Sequence, residues 1–159
     1  MSANTLPFEF GNRSSSTVHL SDLGNVYFSG ANAFRLVRCV TTALLLTAQG
    51  KFVDENSATT LTYASSALSA VTSAKPLGLC STAQQSIAIG DFFLVQIQGV
   101  GTVVGANTVT VATAVTTATG GLVANVTGTF AGNVPPTIVG TALTTAAGTN
   151  ATIRLQNLI

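Results

Sequence analysis

The chain has a single histidine, His19, and two cysteines, Cys39 and Cys80. Hydrolase chemistry of the charge-relay kind would have to use His19 as its base, and a base works only when its ring is held against a nucleophile. His19 lies between Val18 and Leu20 in a polar stretch without periodicity, so it reads as a solvated or interface histidine. The carboxylates are scattered. Asp54 and Glu55 are adjacent, and neighbours on a strand point to opposite faces, so they do not flank one scissile bond as a glycosidase pair does. No CxxC, HxxxH or EF-hand spacing occurs, and no metal or other cofactor is expected. The glycines of Gly99-Val100-Gly101-Thr102-Val103-Val104-Gly105 do not fit GxGxxG and no Lys-Ser or Lys-Thr follows them. They read as a bulged strand and turn, not as a phosphate cradle. Cys39 and Cys80 could form one bridge, which their spacing does not decide; with nothing marking the chain as secreted, they read as free, partly buried thiols. These residues point away from an enzyme.

The elements that carry them are set by composition. A chain of 159 residues fits one domain. Hydrophobic residues make up 47% and charged residues 7%, where about 25% charged is usual. Thr, Val, Ala, Ser, Gly and Asn fill the difference, and Thr and Val favour strands. All but two of the charges lie at or before Lys75; only Asp91 and Arg154 follow. A net charge of +1 gives no footprint for nucleic acid or for an anionic membrane surface. No apolar run reaches the roughly 18 residues of a membrane helix. Strand edges without Lys or Glu invite edge-to-edge pairing, so this chain must cover its edges by closing a barrel or by entering an assembly.

Residues 1–24 read as an extended N-terminal arm and residues 25–159 as a β-rich domain. Phe8 and Phe10 alternate around Glu9 and share one side. They either pack on the chain's own domain or reach a neighbouring subunit. Strands are expected at 26–28, 34–40, 44–46, 51–53, 77–80, 92–98, 108–111, 122–130, 138–143 and 152–159. Leu61, Ala64, Leu68 and Val71 fit a helical stripe, which predicts a short helix over 63–73, ended by Pro76. In 34–40, Arg38 shares a face with Phe34 and Leu36, and Arg35 lies on the other. Each arginine either faces solvent or pairs with a carboxylate (Asp22, Asp54, Glu55 or one on a partner), and such a pair would set the register of an interface. In 92–98, Val95 and Ile97 face the core while Gln96 and Gln98 face water or an interface. The candidate interface residues are therefore Phe8, Phe10, Arg35, Arg38, Gln96 and Gln98. The fold class expected is all-β: a single antiparallel β-sandwich or barrel-like domain with an extended N-terminal arm and at most one short helix.

One stretch carries a resemblance. Lys75-Pro76-Leu77-Gly78-Leu79-Cys80, a polar loop, and Gly90-Asp91-Phe92-Phe93-Leu94-Val95-Gln96-Ile97-Gln98-Gly99 resemble the capsid decoration (cement) proteins of tailed bacteriophages. So do Val139-Gly140-Thr141-Ala142-Leu143, Gly148 and Ile153-Arg154-Leu155. The resemblance covers residues 75–155, about half the chain. It implies a small β domain, often trimeric, on the outside of an icosahedral head, where it clamps adjacent major capsid protein subunits and has no catalytic residues. The implied partners are the major capsid protein and two further copies of the chain; the implied location is the virion exterior, after synthesis in the host cytoplasm. A terminal arm serves some family members as a strap to neighbours, so deleting residues 1–24 is expected to weaken shell binding and leave the domain folded. The rival is a receptor- or glycan-binding module of a phage head fibre or tail fibre. It calls for an exposed aromatic platform, and the chain has no Trp and only Tyr27 and Tyr63.

Overall fold

One long strand, Phe92–Val104, carries the architecture. In the computed structural model the described residues are 5–15, 18–40, 48–55, 63–68, 76–105, 108–117, 122–126, 137–147, 150–156 and 158. In chain order the strands are β1 (Arg13–Ser14), β2 (Val26–Ser29), β3 (Asn32–Cys39), β4 (Phe52–Glu55), β5 (Ala64–Leu68), β6 (Pro76–Leu79) and β7 (Phe92–Val104). They continue with β8 (Thr108–Val109), β9 (Ala114–Thr117), β10 (Val123–Asn125), β11 (Ile138–Ala142), β12 (Ala146–Ala147) and β13 (Asn150–Leu155). Leu20–Asp22 forms a 3-10 turn.

The main sheet runs β10-β9-β11-β13-β7-β6-β4-β5-β3-β2, with β1 also on β7, and β12 pairs with β8 in a small separate ribbon. Its pairings are antiparallel apart from β3 with β5. The expected all-β antiparallel fold is what forms, as an open sheet whose path ends at β10 and β2. β3 also pairs with β7, from Ala33 opposite Gln98 to Arg38 opposite Phe92.

Alternation along β7 feeds three apolar clusters. Phe93, Val95 and Ile97 join Ala33, Val37, Cys39, Val53 and Ile87. Val103 joins Phe52, Val115, Val139, Ile153 and Leu155. Phe92 and Leu94, on the opposite face, join Tyr27, Phe34 and Leu36, and there Leu6, Phe8, Phe10, Val18 and Leu23 pack over them. The described part of the N-terminal segment thus lies on the chain's own sheet, and the face that binary patterning assigns to water is dry from Phe92 to Gln96. Cys39 and Cys80 are both buried and unbonded.

Two sequence expectations change. The helix predicted over 63–73 is replaced, where the chain is described, by strand β5. Tyr63 has φ +59°, a left-handed turn that does not start an α-helix, and β5 then satisfies backbone groups of both β3 and β4. Residues 69–73 and the strand expected at 44–46 lie outside the described residues. The strand expected over 92–98 runs on to Val104, because β13 takes up the pairing from Gly99 onward, Leu155 opposite Gly99 through Asn150 opposite Val104.

Candidate interaction site

Gln96 sits on the same face of β7 as Phe92 and Leu94, with 3% exposure. A buried amide must be satisfied. Its Nε2 lies within donating distance of Asn32 Oδ1 at 3.2 Å and of the Gln98 and Val100 carbonyls at 3.1 Å each. The Val100 N–H also donates to Asn32 Oδ1, at 3.3 Å. These bonds tie the start of β3 to a kink in β7, where Gly99 holds φ +102°. A Cβ there would run into the Asn32 side chain, so the position requires glycine for both its conformation and its space. Beyond the kink lies a crevice of about 540 Å³ lined by Asn32, Gln98, Gly99, Val100, Arg154 and Leu155. A smaller pocket of about 220 Å³ adjoins it, sharing Asn32 and Val100 and reaching Phe10 and Phe34.

The N-terminal segment is fastened beside this region. Phe10 packs on Phe34 with ring centroids 4.8 Å apart. Arg13 Nη1 donates to Asp91 Oδ2 at 2.7 Å, and the Ala88 N–H donates to the same oxygen at 2.7 Å. The Gln85 N–H donates to the Gly11 carbonyl at 2.7 Å, and Gln84 Nε2 to the Asn12 carbonyl at 3.3 Å. Asp91, which reads in sequence as a lone turn carboxylate, is thus buried and doubly engaged.

The six sequence candidates fall into different settings. Phe8 and Phe10 are half-buried against the third cluster. Arg35 is 6% exposed, with its guanidinium 4.9 Å from the Tyr63 ring centre. Burial pulls its pKa down, while Tyr63 and Glu55 act in the opposite sense. Arg38 lies 5.6 Å from the Phe92 ring centre and donates from Nε to the Gly90 carbonyl at 3.3 Å. Gln96 is inside, and Gln98 is exposed at the crevice. Asn32 and Arg154 complete that crevice. Sequence reasoning did not single out Asn32; Arg154 stood out only as one of two charges after Lys75. His19 is exposed, and its backbone N–H donates to Asp22 Oδ2 at 3.3 Å, closing the 3-10 turn. Among the described residues no group of three or more His, Cys, Asp or Glu gathers in a metal-binding arrangement.

What the arrangement offers is recognition: a rigid kinked strand, a crevice with an arginine and two amides, and uncharged sheet ends. The fold is an open, many-stranded antiparallel all-β sheet with a packed N-terminal segment. Among solved structures, the N base of the head fibre protein gp8.5 of bacteriophage phi29 shares this fold, with a TM-score of 0.53 and 13% identity over 78% of this chain and 93% of that one. Neither a protein-family model nor a curated protein sequence matches the chain.

Proposed function

We propose that the chain is a structural protein of a phage virion, held on the outer surface of an icosahedral head as a homotrimer that bridges major capsid protein subunits. The observation that carries this reading is the fold shared with a phage head fibre base, which spans nearly the whole of that base. The sequence resemblance to decoration proteins leads to the same surface by a separate route. In this reading the protein has no catalytic activity and needs no cofactor. Its uncharged strand ends suit burial in an assembly, and an interface built on apolar and backbone contacts is screened little by salt.

A second reading is favoured by the same neighbour: the domain is the base of a head fibre, and receptor or glycan binding belongs to the fibre it carries. The tyrosines do not supply an exposed platform for sugar within this domain, since Tyr27 is buried and Tyr63 packs on the core. Co-sedimentation with expanded heads tests the shared claim. Saturable binding at a fixed ratio to the major capsid protein, with heads made more resistant to heat, is expected. A protein that stays in the supernatant overturns both readings. Reproducible glycan-array hits by the isolated domain would place the receptor function here instead.

A further inference from the structure

The crevice beside Gly99 exists because β7 changes partners there. Ala33 of β3 stands opposite Gln98, and Leu155 of β13 stands opposite Gly99. β3 and β13 part at that point and leave about 540 Å³ between them. Sites of several hundred Å³ accept a small ligand or a side chain with part of its backbone.

Its polar lining is one-signed. Arg154 is exposed on β13, flanked across the sheet by Val100 and Thr141. No carboxylate lines the crevice, and among the described residues Arg154 makes no ion pair. Gln98 is exposed at the opposite wall. Asn32 spends its Oδ1 on Gln96 and Val100, which leaves its Nδ2 hydrogens outside that network. The crevice therefore presents amide and guanidinium donors beside an exposed valine, on strands tied together through the Gln96 and Asn32 side chains. A planar guanidinium matches a carboxylate in a forked pair, and charge-assisted bonds of this kind are the strong ones.

We infer that this crevice receives a carboxylate from a protein partner, an Asp or Glu side chain, paired with Arg154 and bordered by the Gln98 and Asn32 amides. Charge complementarity selects the acid: among the described residues no carboxylate of the chain meets Arg154 or lines the crevice. A protein side chain is favoured over an acidic sugar because no aromatic ring lines the crevice to stack on a pyranose. That the partner is the capsid shell rests on the proposed function; the chemistry of the crevice does not.

The test is an NMR titration of the intact protein with acetyl-glutamate N-methylamide, its neutral glutamine analogue, and glucuronic acid. The glutamate probe is expected to shift the Arg154 Nε–H and the backbone amides of Gln98 and Val100, saturating at millimolar concentration. It should bind about tenfold more tightly than the glutamine analogue. Arg154→Gln, with thermal stability retained, should erase that preference, and Arg154→Lys should keep only part of it. Absence of shifts at these groups, equal response to the two amides, or tighter binding of glucuronic acid overturns the inference. Co-sedimentation of the unaltered protein with heads reports on the shell separately: probe binding without head binding removes the shell as partner and keeps the crevice.

Discussion

One carboxylate, Asp91, is among the groups that fasten the N-terminal segment. Asp91 is 4% exposed, while the Arg13 side chain is 42% exposed, so the two ends of their ion pair are unequal. Losing Arg13 leaves Asp91 its bond from the Ala88 N–H; losing Asp91 strips both donors at once. Arg13→Ala is therefore expected to cost about 1 kcal/mol, as half-exposed pairs do. Asp91→Ala is expected to cost about 3 kcal/mol, because it leaves a turn N–H and a guanidinium without their acceptor. Urea unfolding of the two variants checks the order, and equal costs would contradict it. The thiol of Cys80 gives a pH counterpart. Burial pushes its pKa up to about 12 from an unperturbed 9.0. The unfolded chain releases this proton first, so the stability it contributes is whole below about pH 9 and is lost as pH rises towards 12. Stability measured across that range is expected to fall for the native protein and to fall less steeply for Cys80→Ala. Thiol reagents should label the folded protein only on unfolding.

At the scale of elements, the N-terminal segment and the kink in β7 hold the molecule's unusual geometry. Leu6, Phe8 and Phe10 cover Phe34, Phe92 and Leu94, so removing residues 1–15 exposes a dry sheet face. The truncation is expected to cost about 5 kcal/mol, several apolar side chains' worth of burial and a large share of an ordinary domain's stability. Denaturation midpoint and dye binding to the bared face measure it. Composition leads to the expectation of an arm that can be removed without harm to the domain; the packing of Leu6, Phe8 and Phe10 leads to the opposite expectation, and the truncation decides between them. Gly99→Ala is expected to be similarly harmful, since it combines a left-handed φ with a collision at Asn32; Gly30, also at positive φ but in open space, should tolerate alanine at about 1 kcal/mol. Strands were legible wherever β-branched and aromatic residues alternate, as in 34–40 and 92–98. The continuation through Gly99 was not, because glycines that break a strand and glycines that let it kink look alike until the second partner, β13, is known. Gln96 was misplaced for a related reason: period-2 alternation sorts residues onto two faces, and nothing local says that both are covered. Arg154 was visible as a late, isolated charge, but its crevice is made by three segments distant in sequence.

At the scale of the whole molecule, the question is what covers the ends of the sheet. Among the described residues β2 pairs only with β3, β10 pairs with β9 and meets the end of β7 only through a single bridge from Val123 to Gly105, and neither Val26–Ser29 nor Val123–Asn125 carries a charge. Phe28 on β2 is 56% exposed. An uncharged terminal strand with an exposed aromatic ring is an adhesive edge, and natural proteins blunt such edges with lysines or bury them. This chain has a net charge of +1 and few charges with which to hold copies apart. Light scattering at micromolar concentration is therefore expected to find an oligomer, a trimer in the proposed reading, whose association changes little between low and high salt. Phe28→Lys places a charge on the edge without touching the core. It should raise the concentration needed for assembly by about tenfold or more while leaving the denaturation midpoint of the separated chain in place. A native protein that is monomeric in solution would move the covering of β2 from sister subunits to the shell itself. Phe28→Lys would then weaken head binding instead, so the same substitution discriminates between the two ways this open sheet is completed.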